Sequence, residues 1–379
     1  MRLAVLFDAP RVHTLAAALA LFLASLGGAP ASMAAQATVS DAQYHDAHFH
    51  LTNYIQEGID VPTLLGLMGT RVGRSTLFGI PLQQTWSYAN SGDYAPSYYL
   101  QSDAPLYYYS FADAFVAMAY RALPAADQAR FDPMIIGFNP ADMYAADHIR
   151  RVLTTFPGVF SGIGEFSIHK EFVSAKVAGE VASLTNPALD SILSFSGEVG
   201  LVVLLHNDLD VPFARAGSEP VYFSQVVDLF GRHRETTIVW AHVGLGRVVR
   251  PVQASAAAPA TERNPNHAVL VERILSDPSL AHVHFDLSWD EVAKYIVADQ
   301  DVLRRSADVI NRYPDRFLFG SDVVAPRDEA AYYSVYEMYA PLWELLTPDT
   351  REAVLKGNYV RLFDEARRRV RAWESANVR

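Results

Sequence analysis

The sequence predicts an α/β chain folded as a single (β/α)8 TIM barrel, and three observations point there. Short runs of Val, Ile, Leu and Phe recur along the chain after residue 40. They lack the polar alternation of half-exposed strands, as strands buried on both faces of a parallel sheet do. Each is followed by a longer helix-compatible stretch, and this alternation builds a parallel barrel with its helices outside. A doubly wound open sheet is the alternative. It calls for a glycine-rich phosphate loop after an early strand, and the chain has no G-x-G-x-x-G.

Taken in order, residues 1–35 read as a secretory signal. Arg2 and Arg11 give a basic start, 14–26 is apolar and Ala/Leu-rich, and Ala29 to Ala37 is a run of small residues suited to cleavage. The apolar stretch is too short for a comfortable membrane span, and no later run is long enough for one. The expected mature chain is therefore 36–379, periplasmic or secreted, without a stable membrane anchor. Strands are expected at 44–50, 75–80 (STLFGI), 134–138 (MIIGF), 159–166 (VFSGIGEF), 201–206 (LVVLLH), 237–242 (TIVWAH), 282–287 (HVHFDL) and 316–321 (RFLFGS). Asn186-Pro187 reads as a helix cap with proline in the first turn, stopping at Gly197 or Gly200, and Thr347-Pro348-Asp349 opens the last long helix.

One insertion, about 81–130, breaks the rhythm. It crowds Tyr94, Tyr98, Tyr99, Tyr107, Tyr108 and Tyr109 between Pro81, Pro96 and Pro105, then offers a helix at 112–123. In a barrel it emerges at the C-terminal mouth, as a lid or pocket wall, a self-packed excursion, or a homodimer contact. The Ala/Pro-rich 251–265 reads as a plain loop.

Composition narrows the function. The 379 residues carry a formal charge of -11. The basic cluster Arg367-Arg368-Arg369 lies beside Glu365 and Glu374, so it reads as a solvated helix face and not as a nucleic-acid surface. With no cysteine, a thiol nucleophile, a Cys-based zinc site and disulfides are all excluded.

Polar residues follow the apolar runs directly, at the end facing the mouth. The first run leads into Asp46-Ala47-His48-Phe49-His50, where residues two apart share a face, so His48 and His50 project together and can hold one metal ion. The fourth ends in Gly164-Glu165, the fifth in His206, the sixth in His242 and the eighth in Ser321-Asp322. Burying these imidazoles and carboxylates together is costly unless a cation supplies the missing positive charge. Such a donor set with an open position activates water at neutral pH. Asp322 can take its proton, and a neutral His242 can orient a carbonyl or phosphoryl oxygen. Asp286 and Trp289 are expected to line the pocket, and His282 and His284 the floor. Arg247 and Arg327, on mouth loops, can hold an anionic substrate group or stay solvated. His45 reads as structural.

The ordered set Asp-x-His-x-His, Gly-x-Gly-Glu, strand-end His, Ala-His-x-Gly and Gly-Ser-Asp, closed by Gly357-Asn358-Tyr359-Val360-Arg361-Leu362-Phe363, resembles the amidohydrolase superfamily. Within it, the set resembles the amidohydrolase-related (type 2) family, over roughly residues 44–364. The resemblance implies that His48, His50 and His206 ligate a divalent metal, usually Zn2+, and that Asp322 completes that site and takes the proton of the activated water. His242 would polarise or protonate the substrate. Glu165 takes the place of a ligand that bridges to a second ion in some relatives, so one or two ions remain open. Lys170, five residues further on, is too far along to be a carboxylated bridging lysine. The expected activity is metal-dependent hydrolysis of an amide, lactone or ester bond in a small molecule. The alternative is a decarboxylase or hydratase of the same superfamily acting on an aromatic-derived acid. A non-catalytic binding protein is a third reading, disfavoured because His242 and Asp322 are both present.

Overall fold

Apolar runs without alternation require cover on both faces, and the fold supplies it. The computed structural model describes residues 41–52, 58–80, 84–85, 111–170, 173–177, 180–211, 219–246 and 267–378. The main sheet runs, in order, β1 (Tyr44–Asp46), β2 (Val72–Leu77), β3 (Phe131–Ile135), β4 (Gly162–Ser167), β5 (Val202–His206), β6 (Ile238–Trp240), β7 (Val283–Leu287) and β8 (Phe317–Phe319). Neighbours pair in parallel throughout. The ring closes where Ala47 N donates to Phe319 O at 3.0 Å and Phe49–His50 pairs with Val323–Val324. This is the predicted TIM barrel.

β2 and β3 begin three residues earlier than the apolar runs suggest, at Val72 and Phe131 instead of 75 and 134. Arg74 and Asp132 interrupt the runs but not the strands, because the two charges are buried against each other at the barrel floor. Arg74 Nη2 lies 2.8 Å from Asp132 Oδ2, Arg367 Nε 2.6 Å from Asp132 Oδ1, and the Tyr359 hydroxyl donates to Asp132 Oδ2 at 2.8 Å. His45 and His284 also belong to the floor. Burial pushes both imidazoles down to about 3.

Capping follows the sequence. Asn186 accepts from Ala188 N at 2.9 Å at the start of Pro187–Val199, which ends on left-handed Gly200. Thr347 caps Pro348–Glu352, which continues through a π-turn, Ala353–Gly357, into Asn358–Asn377. The basic run on that last helix is not simply solvated. Arg368 pairs with exposed Glu365, but Arg367 reaches Asp132 and Arg369 donates to Gly197 O, tying the helix to the floor.

Of the insertion, Gln84–Thr85 pairs antiparallel with Val173–Val177, in the segment after β4, and Phe111–Arg121 forms the expected helix. The tyrosine cluster, the 251–265 loop and the signal-like 1–35 lie outside the described residues. Among the described residues no helix is long and apolar enough to cross a membrane.

Asp113, on that helix, accepts from Ile136 N (2.8 Å) and Gly137 N (2.9 Å) just past β3. Its burial outweighs these bonds and pushes the carboxyl up to about 7. A raised carboxyl favours folding fully below its unfolded value, and the contribution is lost as pH rises through about 7. Between pH 4 and 7, wild-type urea stability is therefore expected to fall relative to Asp113→Asn. Parallel pH profiles of the two proteins would refute this.

Candidate metal centre

Parallel barrel strands turn their C-terminal ends toward one mouth, so a polar residue just past each apolar run is delivered to a common point. His48 and His50 meet there with Nε2 atoms 3.2 Å apart. Glu165 Oε2 lies 3.5 Å from His48 Nε2 and 3.2 Å from His50 Nε2. Asp322 Oδ1 lies 3.2 and 3.1 Å from the same two atoms. Ligands around one zinc at about 2.0–2.1 Å in a tetrahedron lie about 3.3–3.4 Å from one another. These imidazole and carboxylate donors are thus spaced to fit a single divalent ion.

His242 adjoins them: His48, Glu165, His242 and Asp322 offer donor atoms all within 4.8 Å of one another. Its Nε2 lies 3.3 Å from Glu165 Oε1 and 3.9 Å from Asp322 Oδ2. His206 presents Nδ1 to Glu165 Oε1, and its Nε2 lies 2.9 Å from Asp208 Oδ1. Glu165 thus faces His48 and His50 with one oxygen and His206 and His242 with the other.

Electrostatics sort the groups. Burial lifts Glu165 and Asp322, but Lys170, His206 and His48 around the first, and His48 and His242 around the second, hold both well below the usual carboxylate range. Burial lowers His48, yet Asp322, Asp286 and Glu165 raise it well above its ordinary value. His50 is also raised: Asp322 and Glu165 overcome its burial. His206 is raised by Glu165 and Asp208 against burial and Lys170. For His242 burial wins and the pKa is lowered, so the ring is neutral near pH 7. The carboxylates stay ionised in a largely buried site, which is the condition a bound cation satisfies.

The backbone is bent to deliver these groups. His242, Trp289 and Asp322 adopt φ of 56°, 70° and 52°, which costs each about 1–3 kcal/mol. Neighbours hold two of them in place: Asp286 Oδ1 accepts from His242 N at 2.5 Å, and Asp322 N donates to His48 O at 2.7 Å. Gly164, at φ 104°, admits no side chain, since a Cβ would meet Leu204 O at 2.1 Å. Glycine therefore lets β4 turn Glu165 inward.

Trp289 stands at the site, its ring centroid 5.1 Å from that of His242. Asp286 is not a pocket wall: it is fully buried behind His48 and His242. Arg247 lies outside the described residues, and Arg327 is exposed. Lys170 is closer to the chemistry than its distance along the chain suggests. It is buried, its Nζ is 5.7 Å from the Trp289 ring centroid, and its charge is the leading influence holding Glu165 ionised. His169–Lys170 pairs back on Val173–Val177, a hairpin that no apolar pattern announced. Asp208 and Ser288 were also missed. Asp208 follows the fifth strand's terminal histidine by two residues, and that offset was the available signal.

No curated protein sequence matches the chain. Among solved structures, an amidohydrolase from Burkholderia multivorans with bound zinc is similar at 15% identity and TM-score 0.50, over 85% of this chain and 99% of that one. A dihydroorotase from Campylobacter jejuni is similar at 11% identity and TM-score 0.47, over 85% and 83%. A 2,6-dihydroxybenzoate decarboxylase complexed with 2,6-dihydroxybenzoate is similar at 16% and 0.49, over 80% and 87%. At these identities the likeness is one of fold alone. The sequence itself matches the amidohydrolase family across residues 45–364, nearly all of the barrel, and the chain therefore belongs to that family.

Proposed function

We propose that the protein is a zinc-dependent hydrolase that cleaves an amide, lactone or ester bond of a small molecule. The supporting observation is the spacing of His48 Nε2, His50 Nε2, Glu165 Oε2 and Asp322 Oδ1, 3.1–3.5 Å wherever a histidine is one partner. In this reading those four residues hold the ion, and the zinc-bound fold neighbour favours zinc among the divalent metals. A divalent ion there supplies Lewis-acid activation of water and of a carbonyl oxygen. Asp322, held ionised and 9% exposed at its side chain, accepts the proton of the attacking water and returns it to the leaving group. His242 is the second polar group facing the reacting atoms, and Trp289 gives them an aromatic wall. His206 braces Glu165 from the side away from His48 and His50.

Metal analysis of purified protein is expected to give one equivalent of zinc. Chelation is expected to abolish ester or lactone hydrolysis, and added zinc to restore it. Undiminished turnover in the stripped protein would overturn this reading. Two equivalents would make Glu165 a bridge, with His206 on the second ion. Release of carbon dioxide from an aromatic acid without water uptake would assign the lyase reaction instead.

A further inference from the structure

Three successive left-handed residues deliver the His242 ring, and an imidazole from a neighbouring helix holds the middle one. His242, Val243 and Gly244 have φ of 56°, 57° and 70°. Such backbone is uncommon for histidine and a genuine outlier for β-branched valine, so it persists only where the surroundings impose it. Two main-chain bonds contribute: Leu245 N closes on His242 O at 2.9 Å, and Leu209 N donates to Gly244 O at 2.8 Å. The Val243 carbonyl falls to a side chain. His267 Nε2 lies 2.7 Å from it. A carbonyl has no proton to give, so the ring donates here whatever its charge.

His267 is itself fixed. It opens the helix His267–Leu275 and is 9% exposed. Its main-chain N–H donates to the Tyr295 hydroxyl at 3.3 Å, and the two rings meet edge to face with centroids 6.2 Å apart. Beside it is a cavity of about 30 Å³ whose walls, among them Val243, Leu287, Ile296 and Phe317, are mostly apolar. A main-chain carbonyl left without a donor in such surroundings is costly. That cost falls on the turn one residue past His242.

We infer that His267 is a positioning residue. By holding the Val243 carbonyl, it keeps the turn that aims His242 Nε2 at Glu165 Oε1 and Asp322 Oδ2, 3.3 and 3.9 Å away. Its effect on turnover rests on the hydrolase reading; its effect on the turn does not.

The test compares His267→Leu with His267→Gln in the full chain. Leucine fills the space and denies the carbonyl both the imidazole and a replacement water, whereas the glutamine amide can still donate. His267→Leu is expected to lower kcat by about 100-fold, the scale of a small misplacement at the reacting atoms, with KM and divalent-ion content unchanged. His267→Gln is expected to recover most of the loss. Fluorine NMR of protein labelled with 5-fluorotryptophan reads the turn directly, because the Trp289 ring centroid is 5.1 Å from that of His242. The Trp289 signal, assigned with Trp289→Phe, is expected to move in His267→Leu and return in His267→Gln, while that of Trp373 on the last helix stays put. A Trp289 signal indifferent to His267→Leu would overturn the inference, as would a displacement that His267→Gln fails to reverse. If His267→Leu does not fold, Tyr295→Phe, which releases only the hydroxyl at the His267 main chain, is expected to move the same signal by less, and no movement there would overturn it too. These spectra need neither metal nor substrate. A chain that shows the displacement but hydrolyses no ester, lactone or amide would sink the hydrolase reading alone.

Discussion

Replacing His242 with alanine is expected to lower kcat by about 10²–10⁴-fold, the usual worth of one positioned proton-transfer group, while the divalent ion of the proposed site is retained. The split follows from geometry. The donors of His48, His50, Glu165 and Asp322 lie 3.1–3.5 Å apart wherever a histidine is one partner, and His242 stands beside them. Its neutrality is set by burial, so at pH 7 it is already in the form that accepts a proton. Asp322→Asn should behave differently, losing turnover and metal together. Elemental analysis alongside kinetics separates the two, and loss of zinc from His242→Ala would move that histidine into the ligand set.

The second large effect is structural. Asp132→Ala is expected to cost about 3–5 kcal/mol of folding stability, the typical result of removing one partner from a buried ion pair. Asp132 is fully buried and accepts from Arg74, Arg367 and Tyr359 at 2.6–2.8 Å. Burial alone would raise its carboxyl, but Arg74 and Arg367 hold it below its ordinary value. A lowered carboxyl stabilises the fold above its unfolded pKa and loses that contribution as pH falls through the lowered value. The Asp132→Ala penalty should therefore shrink in acid. Arg368→Ala is the control. Its pair with Glu365 is 68% and 53% exposed, and its loss should be nearly silent. Urea midpoints of the two variants read the difference, and a penalty below 1 kcal/mol for Asp132→Ala would contradict the floor network.

How much of this was legible depended on sequence distance. His48, His50, Glu165, His206, His242 and Asp322 were visible because each directly follows an apolar run, and the barrel brings such positions together. The lower ends of β2 and β3 were hidden. Arg74 and Asp132 look like loop residues until the fold pairs them, and the partners Tyr359 and Arg367 lie more than 200 positions further on. Arg367 looks solvated for the same reason, since the acidic residues Glu365 and Glu374 on its own helix suggest a charged, exposed face. Asp286 has a strand position that suits pocket lining, but its partners His48 and His242 lie just beyond β1 and β6, and no local pattern encodes them. Lys170 lies too far along the chain to be a bridging lysine, yet its charge acts on Glu165, and the hairpin that holds it has no apolar pattern to announce it.

The floor clamp formed by Arg74, Asp132, Tyr359 and Arg367 lies at the opposite pole from the reactive groups. Cohesion and reactivity are therefore lodged at different ends of the same eight strands. Changes to the rim loops therefore fall at the far end of the strands from the residues that keep the scaffold shut. A designer seeking new specificity has a chassis here whose permissive end and forbidden end are already marked.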